Sequence, residues 1–229
     1  MNFNDILNGV LNSVSNTGNQ TKADLGSVLS SVLAGARSSA DEIKQGNTDT
    51  IAKVGGSAAL MGILSMVLGR NGGASLTKLG SLAALGSLAY KAYQDYQQSQ
   101  AASADNLPQH AFDASHNTNT GEAILRTMIA AAASDGSIDE HEKQVIAQEA
   151  GDNPEVYQWL NQELSSPATP AQIAQLVGND TALASQVYLA ARLVCKELSR
   201  KEIVFLSQLA EALGLNDALV EQLEKQAGF

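Results

Sequence analysis

The chain has 229 residues, of which 44% are apolar and only 4% aromatic, so a core must be built from Ala, Leu, Val and Ile, which favours helices over sheets. Residues 1–110 carry seven basic and seven acidic side chains, while residues 111–229 carry the other seven basic and seventeen acidic ones. The whole net charge of −10 therefore lies in the second half, which argues against a nucleic-acid partner and favours cations or a basic protein surface.

Residues 1–50 predict an amphipathic helical region. Apolar residues recur at helical spacing between positions 3 and 14, and again between positions 25 and 33, with a polar break between the two stretches. The opening residues lack the basic start of a secretory signal. These helices have mild polar faces, so packing on each other, on a membrane surface or on a second copy all stay open.

Residues 51–98 predict a Gly/Ala-rich helical hairpin, which we interpret as a membrane segment. The runs 54–69 and 79–90 contain no charged residue and flank a turn at 71–73, with small residues repeatedly four positions apart. Repeated glycine weakens helices in water and favours close packing of the kind found in lipid. At 1.5 Å per residue the runs measure about 24 and 18 Å, against a hydrocarbon core of roughly 30 Å. Crossing, shallow insertion and a buried hairpin in a soluble assembly therefore all stay open.

A polar stretch at 99–119, with Pro108 inside, predicts a linker. From residue 120 to 229 the apolar residues follow a helical period, with breaks at Pro167 and Pro170 and an end signal at Gly214. The sequence therefore predicts an all-α protein whose acidic C-terminal domain is a compact bundle of about seven helices.

The segment 131–142 matches the second half of a calcium loop. Asp135, Asp139 and Glu142 occupy positions 5, 9 and 12 of an EF-hand pattern, whereas alanines stand at positions 1 and 3. The segment repeats at an offset of 60 residues, where Glu202 matches Glu142 and Ser199 matches Asp139. Two such turns could together complete an ion site that neither provides alone. The alternative is structural, because both pairs also have the spacing of a helix-capping box.

The residue types that enzymes use are not arranged for catalysis. The single cysteine, Cys195, lies in an apolar helical stretch, which favours a core position. His110, His116 and His141 lack zinc spacing, and no Gly-rich phosphate loop follows a strand-like run. We therefore expect a protein that is not an enzyme.

The turn motif Ser-Asp-Gly-x-Ile-Asp-x-x-Glu at 134–142, and its degenerate copy before Leu-Ala-x-x-Leu-Gly-Leu at 209–215, resemble the TerB-like helical domain associated with tellurite resistance. The hairpin ending in Leu-Ala-Tyr-Lys-Ala-Tyr-Gln at 88–94 makes residues 50–229 similar to YebE-like bacterial inner-membrane proteins. This resemblance implies a cytoplasmic helical domain tethered to the inner membrane. It also implies a divalent-cation site with the following ligands: Asp135, Asp139, Glu142 and Glu202. Cys195 and Ser199 stand where the pattern has further carboxylates.

The expected function is that of a non-catalytic, membrane-associated protein whose acidic domain binds a partner protein or weakly a cation, in an envelope-stress or metal and tellurite response. The alternative is a soluble scaffold that forms homo-oligomers through the glycine-rich hairpin. Extraction from cells separates the two, since only the first requires detergent.

Overall fold

The computed structural model describes residues 3, 4, 7, 82–99, 107–113, 118–134, 154–195 and 198–229. Over these residues the structure contains seven α-helices, one 3-10 helix and no strand, which confirms the predicted all-α class. The helices have the following bounds: α1 Leu82–Ser99, the 3-10 helix Gln109–Phe112, α2 Thr118–Ala133, α3 Pro154–Ser165, α4 Pro170–Val177, α5 Thr181–Val194, α6 Arg200–Ala212 and α7 Asp217–Ala227.

Helix α5 is the centre of the bundle. Every residue from Ala182 to Val194 is buried, because α1, α2, α6 and α7 all pack around it. The helix begins at Asp180, whose side chain accepts a hydrogen bond from the backbone N–H of Leu183 at 3.0 Å. A helix that is covered on all sides needs small residues for close approach, which explains its run of alanines.

Helix α1, the second arm of the predicted hairpin, belongs to the core of this bundle. Its apolar face packs against α7 and α5, with these residues buried: Leu82, Leu85, Ala89, Ala92 and Tyr93. Near its end, Gln226 in α7 donates a hydrogen bond to the carboxylate of Asp95 at 2.6 Å. In the part of the chain that the structure describes, no helix is both long enough and apolar enough to cross a membrane.

Part of the predicted linker folds onto α1. The ring of Phe112, in the 3-10 helix, is 2% exposed and lies 5.4 Å from the ring of Tyr90 and 5.6 Å from that of Tyr93. Gly86 makes this possible, since a Cβ at that position would overlap the carbonyl oxygen of Phe112. The division into 1–50, 51–98, 99–119 and 120–229 stays a prediction, but the described parts of the last three share one hydrophobic core.

The second copy of the sequence repeat contains two helices, joined by residues 195–199, of which 195, 198 and 199 are described. Helix α5 ends at Val194, and Ser199 caps the start of α6. Leu198, in this connection, has a φ of +48°, which is uncommon for a residue with a side chain. In the first copy α2 packs directly against α5, while residues 135–153 lie outside the described part of the chain.

Candidate functional site

The residues predicted to hold a cation are only partly placed by the structure. Asp135, Asp139 and Glu142 lie outside the described residues. Glu202 is described and is 3% exposed. Among the described residues no group of three or more His, Cys, Asp or Glu side chains has the arrangement needed to hold a metal ion.

The carboxylate of Glu202 caps its own helix. Its Oε2 accepts a hydrogen bond from the backbone N–H of Ser199 at 2.7 Å, and the backbone N–H of Glu202 donates to Ser199 Oγ at 3.3 Å. This is the capping box that the spacing predicts, and it satisfies two N–H groups that a helix start otherwise leaves unpaired. Glu202 therefore has a structural role in the second turn.

Arg192 holds this turn from inside the bundle. Its Nη1 donates to the carbonyl of Cys195 at 3.0 Å, and its Nε donates to Glu224 Oε1 at 3.2 Å. The guanidinium carbon of Arg192 lies 3.6 Å from the centroid of the Phe229 ring. Because the side chain is only 5% exposed, the carboxylate and the ring replace the water that a guanidinium otherwise requires.

Tyr188 completes this cluster. Its hydroxyl donates to Glu224 Oε1 at 2.9 Å, so one carboxylate oxygen in α7 accepts from two side chains of α5. Burial raises the pKa of the Tyr188 hydroxyl, and the neighbouring Glu224 raises it further. The phenol therefore stays protonated and acts as a hydrogen-bond donor, which ties α5 to α7.

A groove of about 690 Å³ runs between α6 and α7 above this cluster. The α6 residues that line it are apolar or small and lie at i, i+3, i+4 and i+7: Ile203, Leu206, Ser207 and Ala210. Leu215 and Tyr188 line it as well. Ile203 is 51% exposed and Leu198 is 37% exposed at its edge. Residues at this spacing share one face of a helix, so α6 presents an apolar stripe to the groove.

Acidic side chains border the same groove. Glu211 at the end of α6 and Asp217 at the start of α7 are exposed, and Glu224 lines the groove as well. Since Arg192 occupies one oxygen of Glu224, the carboxylates that remain free to act on a ligand are principally the two exposed ones. An apolar groove with carboxylates at its border is complementary to a helix that is apolar on one face and basic at its edges.

This groove is the feature that the sequence interpretation missed. Ile203, Leu206 and Leu209 fit one helical period in the sequence, but only the last two are buried. The four consecutive apolar residues at 203–206 carried the missing signal. A helix on the surface of a bundle buries a stripe and not its whole circumference, so such a run must expose some of its members.

The described helices form an all-α bundle in which the capping box of Ser199 and Glu202 follows the buried central helix α5. The chain belongs to the DUF533 family, which is described as a protein of unknown function and whose model matches residues 53–227. DUF533 is itself a TerB-like family. No curated protein and no solved structure matches the chain.

Proposed function

We propose that this protein is a non-catalytic, membrane-associated binding protein whose acidic bundle takes a basic amphipathic helix of a partner protein in the groove between α6 and α7. The observation that carries the proposal is that the exposed apolar side chain of Ile203 lines the same groove as the carboxylates of Glu211 and Asp217. A large aliphatic side chain at 51% exposure gains about 25 cal/mol for each Å² that a partner covers.

Charge supports a basic partner more than an acidic one. The second half of the chain holds seventeen acidic and seven basic residues, so its field attracts cationic surfaces over roughly a Debye length, about 8 Å at physiological salt. Such attraction raises association rates and is weakened by salt. The apolar stripe of α6 then supplies the contact area on which affinity depends.

The proposal is tested with the full chain and a labelled model helix of Leu and Lys at amphipathic spacing, compared with a matched helix that carries Glu in place of Lys. We expect the basic helix to bind at least tenfold more tightly and the binding to weaken with salt. Ile203→Ser and the pair Glu211→Gln with Asp217→Asn should each weaken it severalfold. Gln208→Ala is the matched control, because Gln208 is exposed on α6 and does not line the groove. Equal binding of both helices, or normal binding by Ile203→Ser, would contradict the proposal.

The membrane part of the proposal rests on the uncharged run 54–69 and on the resemblance to YebE-like inner-membrane proteins, with the bundle on the cytoplasmic side. A deletion of the whole hairpin would remove α1 from the core, so the appropriate variant replaces only 54–69 with a Gly/Ser sequence of equal length. We expect the full chain to resist an alkaline carbonate wash and the variant to be released. Release of both would favour the soluble homo-oligomeric scaffold, which a measurement of mass in solution then tests.

A cation site at Asp135, Asp139, Glu142 and Glu202, serving a metal or tellurite response, stays a prediction. Its ligand Glu202 would have to accept a cation while its Oε2 accepts the N–H of Ser199. Calorimetric titration of the full chain with Ca²⁺ and Zn²⁺ tests it, with Asp135→Asn plus Glu142→Gln as the variant. Equal heats from both proteins would refute the site.

A further inference from the structure

Phe3 and Asn4, near the start of the sequence, lie against α2 and α3 of the bundle. The ring of Phe3 packs on that of Trp159 in α3, with centroids 5.0 Å apart and planes at 59°. Leu7, four residues further on, is completely buried in the main hydrophobic core. The first residues of the chain therefore contribute two apolar anchors four positions apart, as one face of a helix does.

Gly121 in α2 allows this approach. A Cβ at this position would lie 2.7 Å from the backbone N of Asn4 and 2.7 Å from the backbone C of Phe3, distances that real Cβ atoms do not reach. Glycine within a helix is unfavourable compared with alanine unless another group needs the space. Here the backbone of the N-terminal segment fills that space.

The wall of the cleft is held by charged side chains. Arg126 in α2 has its Nε 2.9 Å from Glu163 Oε1 in α3, and its Nη2 lies 3.3 Å from Glu122. The guanidinium carbon is 6.0 Å from the centre of the Trp159 ring. These contacts fix α2 relative to α3 and keep the indole in place for the ring of Phe3.

We infer that the cleft formed by Gly121, Arg126 and Trp159 is a peptide-binding site whose ligand is the N-terminal segment of the same chain. The site is separate from the groove between α6 and α7 and does not depend on the function proposed for that groove. Because the segment is covalently attached, its effective concentration at the cleft keeps the site occupied in the intact chain.

The single tryptophan of the chain is the reporter for this site. In the full chain, Leu7→Asp places a charge in an apolar core and should release the segment, which shifts Trp159 emission to longer wavelength and increases its quenching by acrylamide. Phe3→Ala removes only the ring and should give a smaller change in the same direction. Far-UV circular dichroism should lose at most the signal of the released segment, which shows that the bundle itself remains folded.

A synthetic peptide of residues 1–12 then tests binding in trans. It should bind the Leu7→Asp chain saturably and restore the wild-type emission of Trp159, whereas the wild-type chain should bind it at least tenfold more weakly because its site is filled. A peptide with Phe3→Ala and Leu7→Asp is the matched control and should not bind. Adding Gly121→Ala to the Leu7→Asp chain should abolish binding, since the new methyl group occupies the position of the peptide backbone.

Three results would overturn the inference. Unchanged Trp159 emission in both Leu7→Asp and Phe3→Ala would show that the segment does not cover the indole. Equal affinity of the peptide with and without Gly121→Ala would place its binding elsewhere. A wild-type mass twice that of the Leu7→Asp chain would show that the segment docks on a second copy.

Discussion

Leu85→Ala decides whether α1 is part of the bundle or an independent membrane arm. Leu85 is 1% exposed in the core between α1 and its neighbours. Truncating a leucine in such a position removes its transfer free energy and leaves a cavity, which together cost about 3 kcal/mol. Since the transition of a protein of 150–250 residues moves by about 2–4 °C per kcal/mol, we expect the midpoint to fall by roughly 6–12 °C.

The assay follows Trp159 in α3 during thermal and urea unfolding of the full chain, so that the reporter is on a different helix from the change. Ser87→Ala is the matched control on α1, because Ser87 is exposed and its hydroxyl only donates to the carbonyl of Ala83 in the same helix. The control should stay within about 0.5 kcal/mol of the wild type. If Leu85→Ala also stays within that limit, α1 does not stabilise the bundle and the packing described above is refuted.

Three further substitutions test other contacts of the bundle. Burial raises the pKa of the Glu163 carboxyl above its ordinary 4.5; Arg126 lowers this pKa and Glu122 raises it further. The contribution of Glu163 to the free energy of unfolding is therefore full below pH 4.5 and is lost as the pH rises through the raised pKa of the folded state. The melting temperature of Glu163→Gln relative to wild type should therefore increase between pH 4.5 and neutral pH, and a constant difference would refute this. Ser199→Ala removes the hydroxyl that caps α6 and should lower the free energy of unfolding by about 1 kcal/mol in urea titrations. Asp also caps helices, so an equal loss of stability in Ser199→Asp would refute this. Gly86→Ala should destabilise the chain although alanine favours helices, because its Cβ would displace the carbonyl of Phe112; a higher melting temperature would contradict this.

The bundle from residue 120 onward could be predicted because its elements are specified locally. Apolar residues repeat at helical spacing, Pro170 stands at the first position of α4 after the Thr169 cap, and Gly214 adopts a φ of +68° after α6. Each of these signals depends on a few neighbouring residues and on backbone geometry. The capping box of Ser199 and Glu202 was predictable for the same reason.

The location of α1 could not be predicted, because lipid and a protein core select the same residues. Small side chains spaced four apart allow close helix contact in either environment, and the run 79–90 has no charge to distinguish them. Two tertiary contacts show that α1 lies in a protein core. Gly86 accommodates the Phe112 carbonyl, and Asp95 accepts a hydrogen bond from Gln226. Both partners are distant in sequence, so no local pattern shows them.

The groove and the N-terminal contact were missed for a related reason. Ile203 and Leu206 fit the same helical period, yet only one is covered, because the neighbours of α6 cover a single stripe. Phe3 and Leu7 carry an amphipathic signal that equally suits a membrane surface or a second copy. The choice of Trp159 as their partner depends on the space left by Gly121, a residue more than a hundred positions away.

The burial of Leu7 and Leu82 restricts how the residues between them could contact a membrane. Leu7 and Leu82 are both buried in one hydrophobic core, so the stretch 8–81 begins and ends at the bundle. Its longest uncharged run is 54–69. A single crossing would leave the two ends of the stretch on opposite faces of the bilayer, which is incompatible with both contacts. If the protein associates with a membrane as proposed above, an even number of crossings or a shallow insertion keeps both contacts, and the helical length of about 24 Å expected for this run suits shallow insertion. On the membrane association proposed above, release of Leu7 from the core is the change that would permit a single crossing.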